Sequence, residues 1–260
     1  RVCSDHPFVH HICMDTLAGR SVLITGAARR IGAALARGFH AEGANVCIHF
    51  HRSAPEAEQL HDELNRARAG SAILASADLL DLDALPPLVE QTVGAFGRLD
   101  VLINNASTFY PTPLGQVTVG NWDDLIGTNL RAPLFLAQAA TDALRSARGL
   151  ILNMIDIHAQ RPLPHHPVYS TAKAGLVMLT RSLARELAPE VRVNGIAPGP
   201  ILWPEGGLAP SLQEEIIDKT LLKRSGSPED IVRTALFFAQ GAPYVTGQIL
   251  AVDGGRSVGW

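Results

Sequence analysis

The sequence contains few cysteines, few aromatic residues and no strong excess of either charge. Three of its 260 residues are cysteine, 5% are aromatic, and the formal net charge at pH 7 is −3. Cys3, Cys13 and Cys47 form no C-x-x-C pair and no zinc spacing, so we interpret them as reduced thiols of a cytoplasmic protein. A net charge of this size and sign gives no positive potential that would attract nucleic acid or an anionic membrane. No apolar run reaches the roughly 18 residues that a membrane-spanning helix needs.

Ten histidines raise the question of a metal site. They include two adjacent pairs and the pair His49 and His51, which would share one face of a strand. No third ligand is placed beside any of these pairs. We therefore expect scattered surface and loop histidines and no bound metal.

The first residues differ from the rest of the chain. Residues 1–13, RVCSDHPFVHHIC, have no periodicity, contain two of the cysteines and precede Met14. They are also too polar and too broken for a secretory signal. We expect residues 1–16 to be a non-native or disordered leader and residues 17–260 to form the functional domain.

Beyond this leader, apolar strand-like runs alternate with amphipathic helix-like stretches such as Ile31–Glu42, Ala54–Ala69 and Leu82–Phe96. Most runs are continuous and β-branched, as in parallel strands that are covered on both faces. We predict a single α/β domain with a Rossmann-like, doubly wound parallel sheet of about seven strands, helices on both faces and ligand sites at the carboxyl ends of the strands. The runs are SVLITG, NVCIHF, SAILASAD, LDVLINNAS, GLILNMID, VRVNGIAPG and QILAVDGG.

The first run leads directly into TGAARRIG, from Thr25 to Gly32. A tight turn that delivers a helix N-terminus after the first strand is a common phosphate-binding device of this architecture. The generic G-x-G-x-x-G spacing is absent, so an ordinary strand–helix turn is the alternative.

The second run ends without the acidic residue that an NAD-binding chain usually places about 20 residues beyond the glycine turn. The segment CIHFHRS instead presents His51, Arg52 and Ser53, which are donors suited to a ribose 2′-phosphate. Arg29 and Arg30 in the turn add positive charge. Solvated surface cations are the alternative, but we favour NADPH/NADP+ as the cofactor.

A tyrosine–lysine pair indicates proton transfer. Tyr169 lies four residues before Lys173, so the two side chains share one face of a helix. An ammonium group beside a phenol is expected to lower the pKa of the tyrosine from about 10 toward neutrality, and a proton donor works best when its pKa lies near the operating pH.

Thirteen positions before the tyrosine stands Asp156. An ionised carboxylate there would oppose the negative charge that develops on the oxygen of a ketone during reduction. Reduction of a C=N bond differs because the nitrogen needs a proton, which a partly protonated carboxyl group could supply or relay through Tyr169. Asp156 therefore favours reduction of C=N over C=O, unless the side chain only caps a loop.

Together with NNAS at Asn104–Ser107, these motifs resemble the short-chain dehydrogenase/reductase family, from Leu17 to about Ser257. Ordinary members of that family have a glycine where this chain has Arg30 and a serine where it has Asp156. Both departures resemble the pteridine reductase branch, as does NNASTFYPTPLG, and the loop sequence ILWPE is similar to that of bacterial members.

The resemblance implies a role for each matching residue. It implies that Asn129 is a structural asparagine that supports a water relay, that Tyr169 donates the proton with Asp156, and that Lys173 binds the nicotinamide ribose. For the substrate it implies contacts with Arg30, Phe109, Asp156, Tyr169 and, as a candidate only, Trp203; the alternative for Phe109 is ordinary core packing. For the cofactor it implies contacts with Arg30, Ile31, His51, Arg52, Ser53, Asp78, Leu79, Asn105, Ala106, Ser107, Lys173, Pro198 and Gly199.

One departure affects the substrate side. Some pteridine reductases place a serine after the Pro198–Gly199 turn, whereas this chain continues Pro200–Ile201–Leu202–Trp203. We expect the loop from Ile201 to Gln213 to cover the pocket.

The resemblance thus implies NADPH-dependent reduction of a C=N bond in a pterin, such as biopterin or dihydrobiopterin, with folate and dihydrofolate as further candidates. It also implies a homotetramer. The first alternative is an NADPH-dependent carbonyl reductase that acts on an oxoacyl thioester or a quinone. The second is a non-catalytic NADP-sensing protein, which is disfavoured because the Tyr–Lys pair is present.

Overall fold

The seven apolar runs form seven strands of one sheet in the computed structural model, which describes residues 16–203 and 206–259. The predicted leader, apart from Thr16, lies outside the described residues. The strands are β1 (Ser21–Ile24), β2 (Asn45–Phe50), β3 (Ala72–Ser76), β4 (Val101–Asn104), β5 (Leu150–Met154), β6 (Arg192–Pro198) and β7 (Ile249–Val252).

The sheet is parallel throughout, in the order β3-β2-β1-β4-β5-β6-β7. The chain builds outward from β1 to β3 and then returns to the other side of β1 with β4. This reversal creates a crevice between the carboxyl ends of β1 and β4, where ligands bind in doubly wound sheets. The predicted fold class is confirmed.

Helices cover both faces of the sheet. One face packs against α1, α2 and α8, and the other packs against α3, α5 and the end of α6. The helices are α1 (Arg30–Ala41), α2 (Ala54–Ala67), α3 (Leu85–Phe96), α4 (Val119–Ile126), α5 (Ala132–Ala147), α6 (Pro167–Leu187), α7 (Pro210–Asp218) and α8 (Pro228–Leu236). Among the described residues, no helix has the length and apolar character needed to cross a membrane.

Local sequence explains where several helices begin and end. Prolines stand in the first turns of α2, α3, α5, α6, α7 and α8, where the missing N–H costs nothing. Thr118 and Ser227 start α4 and α8 with capping boxes. Gly97 ends α3 in the left-handed conformation, with φ of 74°.

The middle strands β1 and β4 lie between the two helical layers. Val22, Leu23, Ile24, Leu102 and Ile103 have no exposed side-chain surface. This burial explains why the two strands read as continuous apolar runs, and it fixes the crevice at their ends on a rigid base.

Gly32, in the first turn of α1, lets the helix approach the turn that follows β1. A Cβ atom on Gly32 would collide with the carbonyl oxygen of Gly26 and would lie 2.9 Å from Cα of Ala27. By contrast, Gly94 lies in α3 with open space around the position of its Cβ.

We predict that Gly32→Ala lowers the free energy of unfolding by about 1–3 kcal/mol, because backbone atoms must move apart. The matched Gly94→Ala should raise it by about 0.4–1 kcal/mol, since alanine restricts the unfolded chain. Urea denaturation measures both changes. A Gly32→Ala protein as stable as the parent would contradict the close packing at this turn.

Candidate active site

A groove of about 620 Å³ runs along the carboxyl ends of β1, β2, β3 and β4. Most residues predicted to hold a cofactor line it together, so the structure brings them to one place although they come from four separate segments. They are Arg30, Ile31, His51, Arg52, Ser53, Asp78, Leu79, Asn105, Ala106 and Ser107. Their contacts with a cofactor stay predictions.

Positive charge collects at the β2 side of this groove. Arg29 and Arg52 line it together with Arg30, and Arg29 lies 3.8 Å from the carboxylate of Glu56. The segment after β2 leads directly into α2, whose N-terminus carries partial positive charge. The groove therefore presents three arginines and the N-terminus of a helix, which favour an anionic ligand.

Arg30 occupies a strained position at the start of α1. Its φ is 54°, in the left-handed region that glycine adopts without cost. This explains why ordinary members of the resembled family use glycine here. The guanidinium Nη2 donates to the carbonyl oxygen of Trp203 at 3.0 Å, so the side chain connects the phosphate turn with the loop after β6.

The sequence analysis considered His49 only as a possible metal ligand and did not predict its place in this groove. It is buried in β2, so the expectation of scattered surface and loop histidines is wrong for it. Its Nδ1 accepts from the backbone N–H of Gly26 at 3.0 Å, and its Nε2 lies 3.2 Å from the carbonyl oxygen of Ala77. The sequence feature that could have indicated its burial is its position inside the apolar run NVCIHF. Within the described part of the chain, no group of three or more potential metal ligands was found.

A smaller cavity of about 190 Å³ adjoins the groove at the ends of β5 and β6. The residues predicted for proton transfer and for the nicotinamide side meet here. The lining includes Arg30, Asn105, Ser107, Asp156, Tyr169, Lys173, Pro198, Gly199, Ile201 and Leu202. The loop residues Ile201 and Leu202 therefore lie at the cavity, as expected for a loop that covers it.

Tyr169 and Asp156 form a direct hydrogen bond in this cavity. The tyrosine hydroxyl donates to Oδ2 of Asp156 at 2.8 Å. The other carboxylate oxygen accepts from the backbone N–H of His158 at 2.8 Å and so caps a single 3₁₀ turn at Ile157–Ala159. Asp156 therefore does cap a turn, and the cap fixes its second oxygen against Tyr169; its part in proton transfer stays a prediction.

The expected decrease in the tyrosine pKa is wrong. Burial first, and then the charge and hydrogen bond of Asp156, raise the pKa of Tyr169 well above its ordinary value; the Ser107 hydroxyl acts in the opposite direction. Lys173 is buried, and its Nζ donates to the carbonyl oxygen of Met154 at 2.9 Å and lies 5.6 Å from the centroid of the Tyr169 ring. Burial lowers the pKa of Lys173 to about 8.

Asn129 lies in a widened helical turn, Gly127–Arg131, that joins α4 to α5. It is buried, and its Oδ1 accepts from the hydroxyl of Ser107 at 2.7 Å. Its Nδ2 donates to the carbonyl oxygens of Leu125 at 2.9 Å and Thr108 at 3.0 Å. The side chain therefore ties the segment after β4 to the helices, as expected of a structural asparagine, while its part in a water relay stays a prediction.

Phe109 lies against Tyr169 but lines neither the groove nor the smaller cavity. Half of its surface is exposed, so the alternative that it is ordinary core is wrong. One face of the ring stacks on His166, with centroids 4.7 Å apart and planes 10° apart. Its ring also meets Tyr169 edge to face at 4.8 Å. Phe109 therefore offers a flat apolar surface beside the proposed proton donor.

Trp203 contacts the site through its backbone, because its carbonyl oxygen is the atom that Arg30 binds. Contact between its indole ring and a substrate stays a prediction. Residues 204 and 205 lie outside the described residues. The loop lines the cavity at Ile201 and Leu202, and coverage of the pocket by the rest of the loop to Gln213 stays a prediction.

Comparisons with known proteins agree with this geometry. A family model described as Enoyl-(Acyl carrier protein) reductase matches residues 26–257. The chain is 39% identical to Pteridine reductase 1 of Leishmania tarentolae, over 91% of this chain and 96% of that protein. It is 35% identical to the 3-oxoacyl-(acyl-carrier-protein) reductase FabG of Staphylococcus aureus, over 91% and 97%. It is 33% identical to 3beta-hydroxysteroid dehydrogenase 1 of Eggerthella lenta, over 94% and 96%.

The strained backbone at Arg30 predicts that the usual order of stability of alanine and glycine in a helix is reversed at this position. At an ordinary helix position alanine is more stable than glycine, but at φ of 54° glycine should be favoured. We expect Arg30→Gly to have a free energy of unfolding about 1 kcal/mol greater than Arg30→Ala. Both variants lose the same side chain, so urea denaturation isolates the backbone effect. A more stable alanine variant would show that Arg30 is not strained.

Proposed function

The chain belongs to the short-chain dehydrogenase/reductase family, and we propose that within this family of nicotinamide-dependent oxidoreductases it is an NADPH-dependent pteridine reductase. The reaction reduces a C=N bond of a pterin ring: hydride is added to the carbon and a proton to the nitrogen. The observation that carries the proposal is the hydrogen bond between Tyr169 and Asp156, 2.8 Å long, in a cavity that adjoins the cofactor groove.

The chemistry of Asp156 supports a C=N substrate. A ketone gains negative charge on oxygen during reduction, and a carboxylate in contact with the proton donor would oppose that charge. A pterin nitrogen instead takes up a proton, and the ring carries N–H and amino groups that a carboxylate can accept. The same side chain thus favours a pterin and disfavours a plain ketone.

The source of the proton follows from the same pair. If Tyr169 gave up its proton beside an ionised Asp156, a phenolate and a carboxylate would face each other in a buried site. This repulsion is one reason why the pKa of Tyr169 is raised. We therefore assign delivery of the proton to the pair and not to Tyr169 alone.

Residues of the groove would hold NADPH, which supplies the hydride when bound. The turn after β1 and the start of α1 suit the pyrophosphate, and Asp78 and Leu79, which line the same groove, would contact the adenine. Lys173 is held at the cavity by its bond to Met154 and can donate to a ribose hydroxyl from there. The absence of an acid after β2, with Arg52 in its place, supports NADPH over NADH.

The proposed substrate contacts include the half-exposed ring of Phe109 beside Tyr169. A pterin ring would stack on the exposed part of Phe109. Arg30 reaches the same cavity and supplies positive charge. Biopterin and dihydrobiopterin are the first candidate substrates, followed by folate and dihydrofolate.

A carbonyl reductase is the second candidate. Relatives named as 3-oxoacyl-(acyl-carrier-protein) reductases and as a steroid dehydrogenase are nearly as similar to this chain as the relative named as a pteridine reductase. The proximity of Tyr169 and Lys173 at the cavity disfavours a non-catalytic NADP-sensing protein.

We also propose that the chain assembles as a homotetramer through its outer helices and its C-terminal strand. Large apolar side chains are exposed on these elements, including Leu134 on α5, Met178 on α6 and Leu250 on β7. Such side chains would be covered if these elements pack against other copies of the chain.

We predict that Asp156→Ser lowers kcat/KM for dihydrobiopterin by about 100-fold or more, because the proton source is lost. The dissociation constant of NADPH should be nearly unchanged, since Asp156 lies on the substrate side. The matched control is Asp81→Ser, because Asp81 caps another 3₁₀ turn through the same bond to the second following N–H. Full activity in Asp156→Ser would refute the proposed role.

A second prediction concerns the choice of cofactor. Arg52→Asp should raise the dissociation constant of NADPH by about 10-fold or more, because a charge-assisted bond to the 2′-phosphate is replaced by repulsion. Binding of NADH should change much less. Arg66→Asp, an equal charge change at an exposed position of α2, controls for net charge. Equal losses for the two cofactors in Arg52→Asp would count against NADPH.

A further inference from the structure

We propose that His49 is a positioning residue for dinucleotide binding, because its ring holds the phosphate-binding turn after β1 in a fixed orientation. The inference requires only that the chain binds a nicotinamide dinucleotide. It does not depend on a pterin substrate or on a preference for NADPH.

His49 binds two successive N–H groups of the turn. Its Nδ1 accepts from the N–H of Gly26 at 3.0 Å, and its backbone oxygen accepts from the N–H of Ala27 at 2.8 Å. On the other side its Nε2 lies 3.2 Å from the carbonyl oxygen of Ala77. Because an N–H only donates and a carbonyl only accepts, the ring is neutral and carries its hydrogen on Nε2. One residue thus connects the turn to the segment that leads to Asp78.

The conformation of the turn is restricted by the segments that pack on either side of it. Gly26 has φ of 61°, and a Cβ on it would lie 3.0 Å from Cα of Ala106, so the segment after β4 presses on one side while His49 holds the other. The Gly26 and Ala27 N–H groups are turned toward β2, which leaves the N–H groups at the start of α1 for a phosphate. Without the ring, the partly buried N–H of Gly26 would lose its acceptor and the turn could rotate.

Burial keeps the ring neutral near pH 7. Burial is the main cause that lowers the pKa of His49 to about 4; the bond to Ala77 and the charge of Asp78 act against it, and His51 acts with it. Arg29 and Arg30 face the same groove from the turn. Protonation would place a hydrogen on Nδ1 against the Gly26 N–H, so the contact is lost only as the pH falls toward 4.

Three variants separate the two functions of the ring. In His49→Asn, the amide oxygen is attached to Cγ, as Nδ1 is, and can still accept from Gly26. In His49→Gln, the amide can reach Ala77 but offers nothing to Gly26, and in His49→Leu both bonds are lost. Calorimetric titration with NADP+ and with NAD+ measures binding, and urea denaturation measures folding separately.

We expect His49→Asn to bind both dinucleotides within about threefold of the parent, and His49→Gln and His49→Leu to bind them about 10-fold more weakly or worse. The loss should be the same factor for NADP+ and NAD+, because the turn meets the pyrophosphate that both contain. This equality distinguishes His49 from Arg52, whose effect depends on the 2′-phosphate.

The control is Cys47→Ala, which removes a buried group two positions earlier on β2. It should lower stability and leave dinucleotide affinity within about twofold. Equal affinities for His49→Asn and His49→Gln would overturn the proposal, and so would a folded His49→Leu protein that binds as the parent does. If His49→Leu does not fold, the comparison of Asn with Gln decides the question.

Discussion

The hydrogen bond from the hydroxyl of Tyr169 to Asp156 is the constraint on which the chemistry of this site depends. Burial of Tyr169 is the first cause that raises its pKa instead of lowering it, and the charge and hydrogen bond of the half-buried Asp156 add to the increase. The bond is possible because the other oxygen of Asp156 caps the turn at Ile157–Ala159 and cannot swing away. In the proposed reaction, a local capping contact would thereby influence which substrates accept a proton from the tyrosine.

The fold supplies the rest of the site through two rigid supports. The reversal of strand order between β1 and β4 opens the crevice, and buried polar contacts fix the segments that line it. His49 holds the turn after β1 from one side, and Asn129 holds the segment after β4 from the other through Ser107. Arg30 accepts a strained backbone at the junction and contacts the loop after β6, as expected where function requires a side chain in place of glycine.

The sequence was sufficient to predict the architecture and the grouping of the site residues. Continuous β-branched runs identify buried parallel strands, and parallel strands bring the residues that follow them to one edge. Hydrogen-bond partners and pKa values could not be predicted, because they depend on residues that are close in space but distant in sequence. The run NVCIHF does not show that His49 accepts a hydrogen bond from a turn distant in sequence. The Y-x-x-x-K spacing predicts a lowered pKa of Tyr169, whereas burial first, and then Asp156, raise it. Nothing in GTNLR signals the widened turn that carries Asn129.

The central claim is that the Asp156–Tyr169 pair selects a C=N bond over a C=O bond. The most direct test measures NADPH oxidation by the purified protein in steady state, with dihydrobiopterin, biopterin, folate and dihydrofolate on one side and an acetoacetyl thioester on the other. The account predicts turnover of at least one pterin, with a kcat/KM well above that of the thioester. Efficient reduction of the thioester without turnover of any pterin would contradict it.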